Sequence, residues 1–564
     1  MAPMNSATSA AVLTASLDDP FYYLANFQCV LDWVAARHAD LLSEPERAFL
    51  ADFPTLPRAS RALLVRMVMR KGEHFRVSRL AYDEIGDADA ALGPLIEAGW
   101  VEAAPPLSLG ELFRQLRLAE LRRAFADEIA AAGLPKSVAK GALHAALAER
   151  GLESRRLEDW WPSAPDRVVR LTLMERCDRL RLMFFGNLRQ DWAEFVLAEL
   201  GLQRFESVPF GPESRAFQRR DEVDAYLALH RLRERLDDGE CPAALAAEVP
   251  PAPDNAWLAA RRSRLLLKLG REAERRGEAE AALDAYAAAG LGEARVRRLR
   301  LLERRGEFAL AHRLIEAAEP VDEAERQALA RLRPRLCRKL GLPSPPHEPE
   351  PVPERLDLVL SASPGGVERA VAEHLATPQA PVHFVENALI TGLFGLLCWD
   401  AIFAPLPGAF FHPFHTGPAD LHREDFVARR RDLFDACLAE LDDGRHRETV
   451  RTRFGEKQGL ASPFVHWGAL DEALLQRALA AIPPAHLRAL FERLLDDPRA
   501  NRAGLPDLIQ FFPEDEQGEG GPGYRLIEVK GPGDRLQDNQ RRWLAFFHAH
   551  DIPVAVCHVR WEGA

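Results

Sequence analysis

Seven cysteines are scattered through 564 residues, and no two of them form a CxxC pair. That usage argues against a zinc finger and against a disulfide framework, and it fits a reducing cytoplasm. Long apolar runs are also missing. The longest, Ala388 to Trp399, is twelve residues and is followed by Asp400, too short to cross a bilayer. No Gly-rich loop closing on Lys-Ser/Thr occurs, so neither a nucleotide cofactor nor ATP-driven motion is expected. Basic charge is not in excess: 73 Lys and Arg stand against 85 Asp and Glu, a net charge of −12. A protein that coats nucleic acid by bulk charge is thereby disfavoured, and any such contact must come from local basic faces. Met1 to Asp18 lacks a basic start ahead of an apolar stretch and reads as a disordered beginning, not a signal peptide. The length suggests roughly three or four domains.

What the chain does have is concentrated near its C-terminal end. Gly504-Leu505-Pro506-Asp507 precedes a β-favouring run to Phe512, and Tyr524 to Lys530 is a second such run, containing Glu528-Val529-Lys530 and closed by Gly531-Pro532-Gly533. Leu536, Gln540, Trp543, Leu544 and Phe547 follow at helical spacing, and Ile552 to Val559 reads as a buried last strand. The segment is predicted to be β-β-α-β, with a long acidic, glycine-rich and mobile loop from Pro513 to Gly523. Two carboxylates and a lysine in this order suit metal-dependent phosphodiester hydrolysis. The reaction needs a divalent Lewis acid that also activates water. Mg²⁺ or Mn²⁺ takes hard oxygen ligands, which Asp507, Glu528 and the carbonyl of Val529 can supply. Lys530 lies two residues beyond Glu528, hence on the same face of the strand, where it can orient water or neutralise charge on phosphorus. Spacing alone leaves a salt-bridge ladder on an edge strand equally open.

The run GLPDLIQFF with YRLIEVKGPGDRLQDNQRRWL resembles the VRR-NUC branch of the PD-(D/E)xK nuclease superfamily, and within it the Fanconi-associated nuclease family. Val385-Glu386-Asn387-Ala388-Leu389, Phe411 to His415 with Asp420-Leu421, Arg429-Arg430-Arg431, Gly459 through Trp467 and Asp497 to Gly504 extend the resemblance over residues 380 to 560. The resemblance implies a fourth catalytic residue, a glutamate at the head of an upstream helix, and Glu386 is the matching position. Burial of an unpaired carboxylate there would be costly, so a metal would satisfy it; capping of the helix is the alternative. Gln540 matches a position that helps binding near the active centre, or it is an exposed polar residue of its helix. The resemblance also implies cleavage of 5′ flaps and branched DNA, 5′-to-3′ exonuclease action and a part in interstrand-crosslink repair.

Upstream, residues 19–105 read as helical and winged-helix-like. Arg58, Arg61, Arg66, Arg70, Lys71, Arg76 and Arg79 outweigh one acid, Glu73, so a DNA-facing surface is expected. Residues 106–250 open with a SAP-like helical hairpin, with Lys136 and Lys140 as backbone contacts, or else an ordinary two-helix linker. The aromatics Trp160, Trp161, Phe184, Phe185 and Trp192 lie among Leu and Val, as core residues do. In 251–341, Glu-Arg-Arg-Gly-Glu at 274–278 recurs at 303–307, a TPR-like helical spacer. A Pro-rich linker (342–354) leads to a nuclease domain at 355–564. His412, His415 and His422 match no zinc spacing and read as loop structure or phosphate contacts.

The expected architecture is multidomain: helical N-terminal and TPR-like regions, then a C-terminal PD-(D/E)xK, restriction-endonuclease-like α/β/α core. The expected chemistry is DNA hydrolysis with Mg²⁺ or Mn²⁺, Glu386, Asp507 and Glu528 holding the metal and Lys530 placing water or phosphate. Arg66, Arg70, Lys71, Arg76, Arg79, Lys136, Lys140 and Gln540 are the expected DNA contacts. The expected partners are branched, flapped or nicked DNA and other repair proteins, with no membrane, and the protein is expected to act as a monomer at the nucleoid. A Holliday-junction resolvase and a non-catalytic repair scaffold are the competing readings.

Overall fold

The computed structural model describes residues 15–211, 213–344, 346, 352–361, 365–513 and 523–562. Most of the expected disordered start, part of the Pro-rich linker and all but the ends of the acidic loop lie outside those residues. The chain forms two compact units. Among the described residues no helix is long and apolar enough to cross a membrane.

The first unit comprises Met1–Gln203, Pro209–Val223 and Phe411–Phe414. Its helices Tyr22–Arg37, Glu44–Asp52 and Arg58–Val68 bury Tyr23, Phe27, Phe49 and the Leu63–Leu64 pair. Glu46 accepts from the Ser43 N–H at 2.8 Å and so starts the second of them. Asp87 caps Ala88–Glu97 by accepting from the Asp89 N–H at 2.9 Å. Strands β1 (His74–Arg76), β2 (Val101–Glu102) and β3 (Val168–Leu171) form an antiparallel sheet in the order β1-β3-β2. The central strand thus comes from beyond the helical hairpins of 109–148, which are inserted between β2 and β3. Leu107 and Arg155 close the neck of this insert with two backbone hydrogen bonds, 2.7 and 3.1 Å. The insert has its own core of Leu112, Phe113, Leu121, Phe125, Leu143 and Trp160. Trp160, Trp161, Phe184, Phe185 and Trp192 are all buried, so the aromatics of this stretch serve packing.

The second unit comprises Arg204–Val208, Asp224–Phe410 and His415–Ala564. Helices Ala256–Arg276, Ala279–Ala289, Gly292–Arg304 and Phe308–Glu316 are two successive hairpins around one leucine-rich core. The repeated Arg-Arg-Gly-Glu marks each turn: Gly277 and Gly306 adopt φ of 80° and 79°, a conformation in which a side chain is strained. The helix after them, Glu323–Leu340, is tied to nuclease-domain residues rather than held apart by the Pro-rich linker. Arg331 pairs with Asp538, Arg493 with Glu323 at 2.7 Å, and Arg542 donates to Gln327 at 2.7 Å.

The mixed sheet of this unit has the order β4-β8-β7-β6-β5. Its strands are β4 (Glu354–Leu360), β5 (Val382–Phe384), β6 (Leu508–Phe511), β7 (Tyr524–Lys530) and β8 (Val554–Trp561). β8 runs parallel to both β4 and β7, whereas β6 is antiparallel to β5 and β7. Helix Asp538–Ala549 makes the crossover from β7 to β8 that a parallel pair requires. The β-β-α-β order read from the sequence is present, extended by β5 beside β6 and β4 beside β8. Helices between 388 and 496 are inserted between β5 and β6.

Candidate active site

The site is built where β6 begins and β7 ends. Gly504 turns the chain into β6 at φ 90°, and a Cβ there would lie 2.6 Å from the Asn539 side chain, so only glycine fits. The Trp543 indole donates to the Ala503 carbonyl at 3.2 Å and anchors the same turn. Asp507 follows. Its carbonyl accepts from the N–H groups of both Val385 and Glu386, each at 2.9 Å, which fixes the residue after β5 against the residue before β6. Its carboxylate accepts from the Val529 N–H at 2.8 Å, reaching across to β7.

On β7, the period-two alternation puts Glu528 and Lys530 on one face. Both are buried, 1% and 7% exposed, and Lys530 Nζ is 2.8 Å from Glu528 Oε1. Gln540 Nε2 donates to the same oxygen at 2.6 Å, while Gln540 Oε1 accepts from the Gln537 N–H at 2.8 Å and caps helix Asp538–Ala549. One glutamine therefore joins the start of that helix to the Glu528 carboxylate, a tie inside the site where the sequence suggested a DNA contact.

Burial, and then the neighbouring Asp507 carboxylate, push the Glu528 carboxyl up to about 7 against the pull of Lys530. Burial likewise raises Asp507, with Glu368 and Glu386 adding to it and the Val529 N–H and Lys530 opposing. A buried carboxylate, Glu528, and a half-buried one, Asp507, thus crowd together with one ammonium, Lys530, paired to Glu528, and a divalent cation is the counter-charge that such a set of hard oxygen donors fits. Among the described residues no three acidic, histidine or cysteine side chains are drawn together as a finished metal cage. Water and phosphate oxygens, or movement of Glu386, would have to complete the coordination.

Glu386 requires a correction. It does not sit buried at the head of its helix; that helix spans Ala388–Leu397 and Glu386 is exposed before it. A desolvation cost therefore gives no reason for a metal at this carboxylate. What sets it apart is backbone strain: φ is 36°, a left-handed conformation that a non-glycine residue rarely holds. Glu368, in the first turn of helix Val367–Leu375, is absent from the sequence-based set although its charge bears on Asp507. No motif marks it, because residues 369–506 separate it from Asp507 along the chain.

The expected DNA contacts divide. Arg70, Lys71, Arg79 and Lys136 are exposed. Lys140 reaches the Leu116 carbonyl at 3.2 Å. Arg66 pairs with Glu84 at 2.6 Å and lies over the Tyr23 ring. Arg76 is corrected to an internal tie: it is 7% exposed and pairs with Glu120 and Asp166, both at 2.7 Å. Arg429 and Arg430 share Asp420, and Arg431 is left at the surface beside Asp435. His412 is buried among Phe184, Phe185 and Phe414, which makes it loop structure in the first unit.

Residues 21–102 match the family described as FAN1, HTH domain, residues 106–160 the Fanconi anemia-associated nuclease SAP domain, and residues 441–561 the VRR-NUC domain. The Fanconi-associated nuclease 1 homolog of Pseudomonas aeruginosa is 52% identical over 556 residues, 98% of each chain. The rice homolog is 25% identical over 95% of this chain and 62% of its own length, and human Fanconi-associated nuclease 1 is 32% identical over 32% of this chain and 18% of its own. The crystal structure of paFAN1 bound to 5′-flap DNA with a two-nucleotide flap and a gap superposes with a TM-score of 0.92 at 52% identity, covering 98% of this chain and all of that one. On this full-length similarity the chain belongs to the Fanconi-associated nuclease family and is a DNA-hydrolysing enzyme with a C-terminal VRR-NUC domain.

Proposed function

We propose that the protein is a 5′-flap endonuclease and 5′-to-3′ exonuclease that works on branched DNA in interstrand-crosslink repair, using Mg²⁺ or Mn²⁺. The observation that carries the site assignment is the convergence of half-buried Asp507 with the buried Glu528–Lys530 pair where β6 begins and β7 ends. Support for the substrate comes from the 52% identical paFAN1, whose crystal structures hold 5′-flap DNA with a gap.

Asp507 and Glu528, with Glu386 and the Val529 carbonyl, would hold the cation. When bound, it supplies a Lewis acid and lowers the pKa of water. The remaining work falls to the protein. Lys530 holds a hydrogen bond to Glu528 and presents its ammonium to the water or the phosphate. Gln540 holds the shared Glu528 oxygen at a fixed angle. Burial excludes bulk water and strengthens each charge interaction. Arg70, Lys71, Arg79 and Lys136 are exposed, and their charges would neutralise phosphates. The protein would act as a monomer, associated with the nucleoid in the cytoplasm and with other repair proteins.

End-labelled 5′-flap, 3′-flap, Holliday-junction and plain duplex DNA, incubated with Mn²⁺ and resolved on a denaturing gel, test the reading. Cuts near the 5′-flap junction that vanish for Asp507→Ala while DNA binding persists are expected. Symmetric junction cuts would favour a resolvase, and tight binding without cuts a scaffold.

A further inference from the structure

Asn387 stands between two parts of the site, and neither its sequence context nor its burial marks it for a role. Its side-chain oxygen accepts from the Leu505 N–H at 3.1 Å, on the turn that delivers Asp507. That bond fixes which end of the amide is oxygen, so Nδ2 faces the other way, where it donates to Glu386 Oε1 at 3.3 Å. The backbone repeats the link: the Glu386 N–H is bonded to the Asp507 carbonyl at 2.9 Å. The Asn387 carbonyl in turn accepts from the Thr391 hydroxyl at 2.8 Å, which locks the residue to the first turn of helix Ala388–Leu397.

The carboxylate of the exposed, strained Glu386 is therefore held by a neighbour that is itself anchored at its far end to the Asp507 turn. An exposed glutamate otherwise samples several rotamers, and each must be given up when it is ordered on a ligand. A neutral amide is suited to this task. It donates to the carboxylate without supplying a charge that would compete with a cation, as a lysine or arginine would.

We infer that Asn387 is a positioning residue, which holds the Glu386 carboxylate toward the Asp507–Glu528 pair and so sets the affinity of the site for a divalent cation. The inference rests on the proposed metal-dependent reading. Partners of this kind typically change metal affinity or activity by about tenfold or more.

Asn387→Ala removes both side-chain bonds, whereas Asn387→Asp keeps the acceptor for the Leu505 N–H, loses the donor to Glu386 and sets a like charge against that carboxylate. Mn²⁺ binding to the full-length protein is measured by calorimetry or by the loss of the free-ion resonance signal, together with the Mn²⁺ midpoint of cleavage and the melting temperature. Both variants are expected to weaken Mn²⁺ binding by about tenfold and to move the cleavage midpoint by the same factor, with Asn387→Asp melting like the wild type. In a Glu386→Gln background neither change should cost further affinity. Unchanged or tighter binding by Asn387→Ala, or full additivity of Asn387→Ala in the Glu386→Gln background, would overturn the inference alone. A wild-type protein that neither binds Mn²⁺ nor cuts with it would overturn the metal reading as well.

Discussion

Glu528→Gln should stabilise the metal-free protein at about pH 8 while abolishing cleavage. The carboxylate is 1% exposed, and burial together with Asp507 lifts it from an ordinary 4.5 to about 7. At about 1.4 kcal/mol per unit, ionising it in the folded chain costs on the order of 3 kcal/mol more than in the unfolded chain. Between 4.5 and about 7 the folded protein retains a proton that the unfolded chain has released, so stability falls as pH rises through that window and the full loss is reached above it. A glutamine keeps an acceptor for Lys530 and Gln540 but has no charge to desolvate. It forfeits the attraction of Lys530, which reduces the gain to about 1–3 kcal/mol. Thermal melts in EDTA, following the transition of the nuclease-bearing unit, should place the variant above the wild type at about pH 8. The difference should vanish toward pH 5. Mn²⁺ should reverse the order, since a ligand at a hundredfold excess over its Kd adds about 2.7 kcal/mol to the state that binds it. A variant less stable than the wild type in EDTA at the higher pH, or a difference that ignores pH, would refute the idea of two carboxylates crowded without enough counter-charge.

Arg76→Met should cost about 1–3 kcal/mol by leaving half-buried Asp166 and Glu120 without their charged donor; chemical denaturation would show it, and a fully stable variant with weak DNA binding would return Arg76 to the DNA surface. Arg79→Ala and Lys136→Ala should leave stability within about 0.5 kcal/mol and lower the slope of log affinity against log salt by about 1 for each phosphate no longer neutralised, which titrations of flap DNA at several salt concentrations will reveal. His38 is 1% exposed, with neither ring nitrogen hydrogen-bonded among the described residues. Burial, then Arg215 and Arg37, depress it from 6.5 to about 3. Its neutral form therefore supports the fold above 6.5, and that support drains away as pH falls toward 3, on the order of 2 kcal/mol by pH 5. His38→Asn should flatten this acid limb of the first unit's stability, and an unchanged limb would place the titration elsewhere.

The part of the site that could be read from sequence is the part made by local geometry. Glu528 and Lys530 share a face because strand side chains alternate, and Asp507 belongs with them because β6 and β7 are adjacent antiparallel neighbours. Gly504 could be read as a turn residue, although the reason it must be glycine, the Asn539 side chain against it, belongs to a helix further on. Basic residues gave a poorer signal. Arg66, Arg76 and Arg79 look alike in a sequence, but Glu84 claims the first, Glu120 and Asp166 claim the second, and only the third is left exposed. The acids that decide this are distant along the chain, so counting nearby charge cannot separate an ion pair from a free phosphate contact.

The features that escaped the sequence share one cause, the insertion of helices into sheets. β3, the middle strand of the first unit's sheet, follows an insert with its own core, and a winged-helix-like region closed at 105 leaves its sheet without a centre. Arg76 is then explicable. It lies on β1, Glu120 lies in the insert and Asp166 just ahead of β3, so one guanidinium ties together the three segments that the insertion separates. The nuclease sheet repeats the device. Helices between 388 and 496 divide β5 from β6, yet the Val385 and Glu386 N–H groups meet the Asp507 carbonyl across that gap. Such an encounter is entropically slow to find, and the β5–β6 ladder together with these bonds holds it once made. Asn387, bonded to both sides of it, is therefore placed to govern how well the two halves of the site are aligned, and variants there should reveal more about metal affinity than variants of the better-marked Gln540.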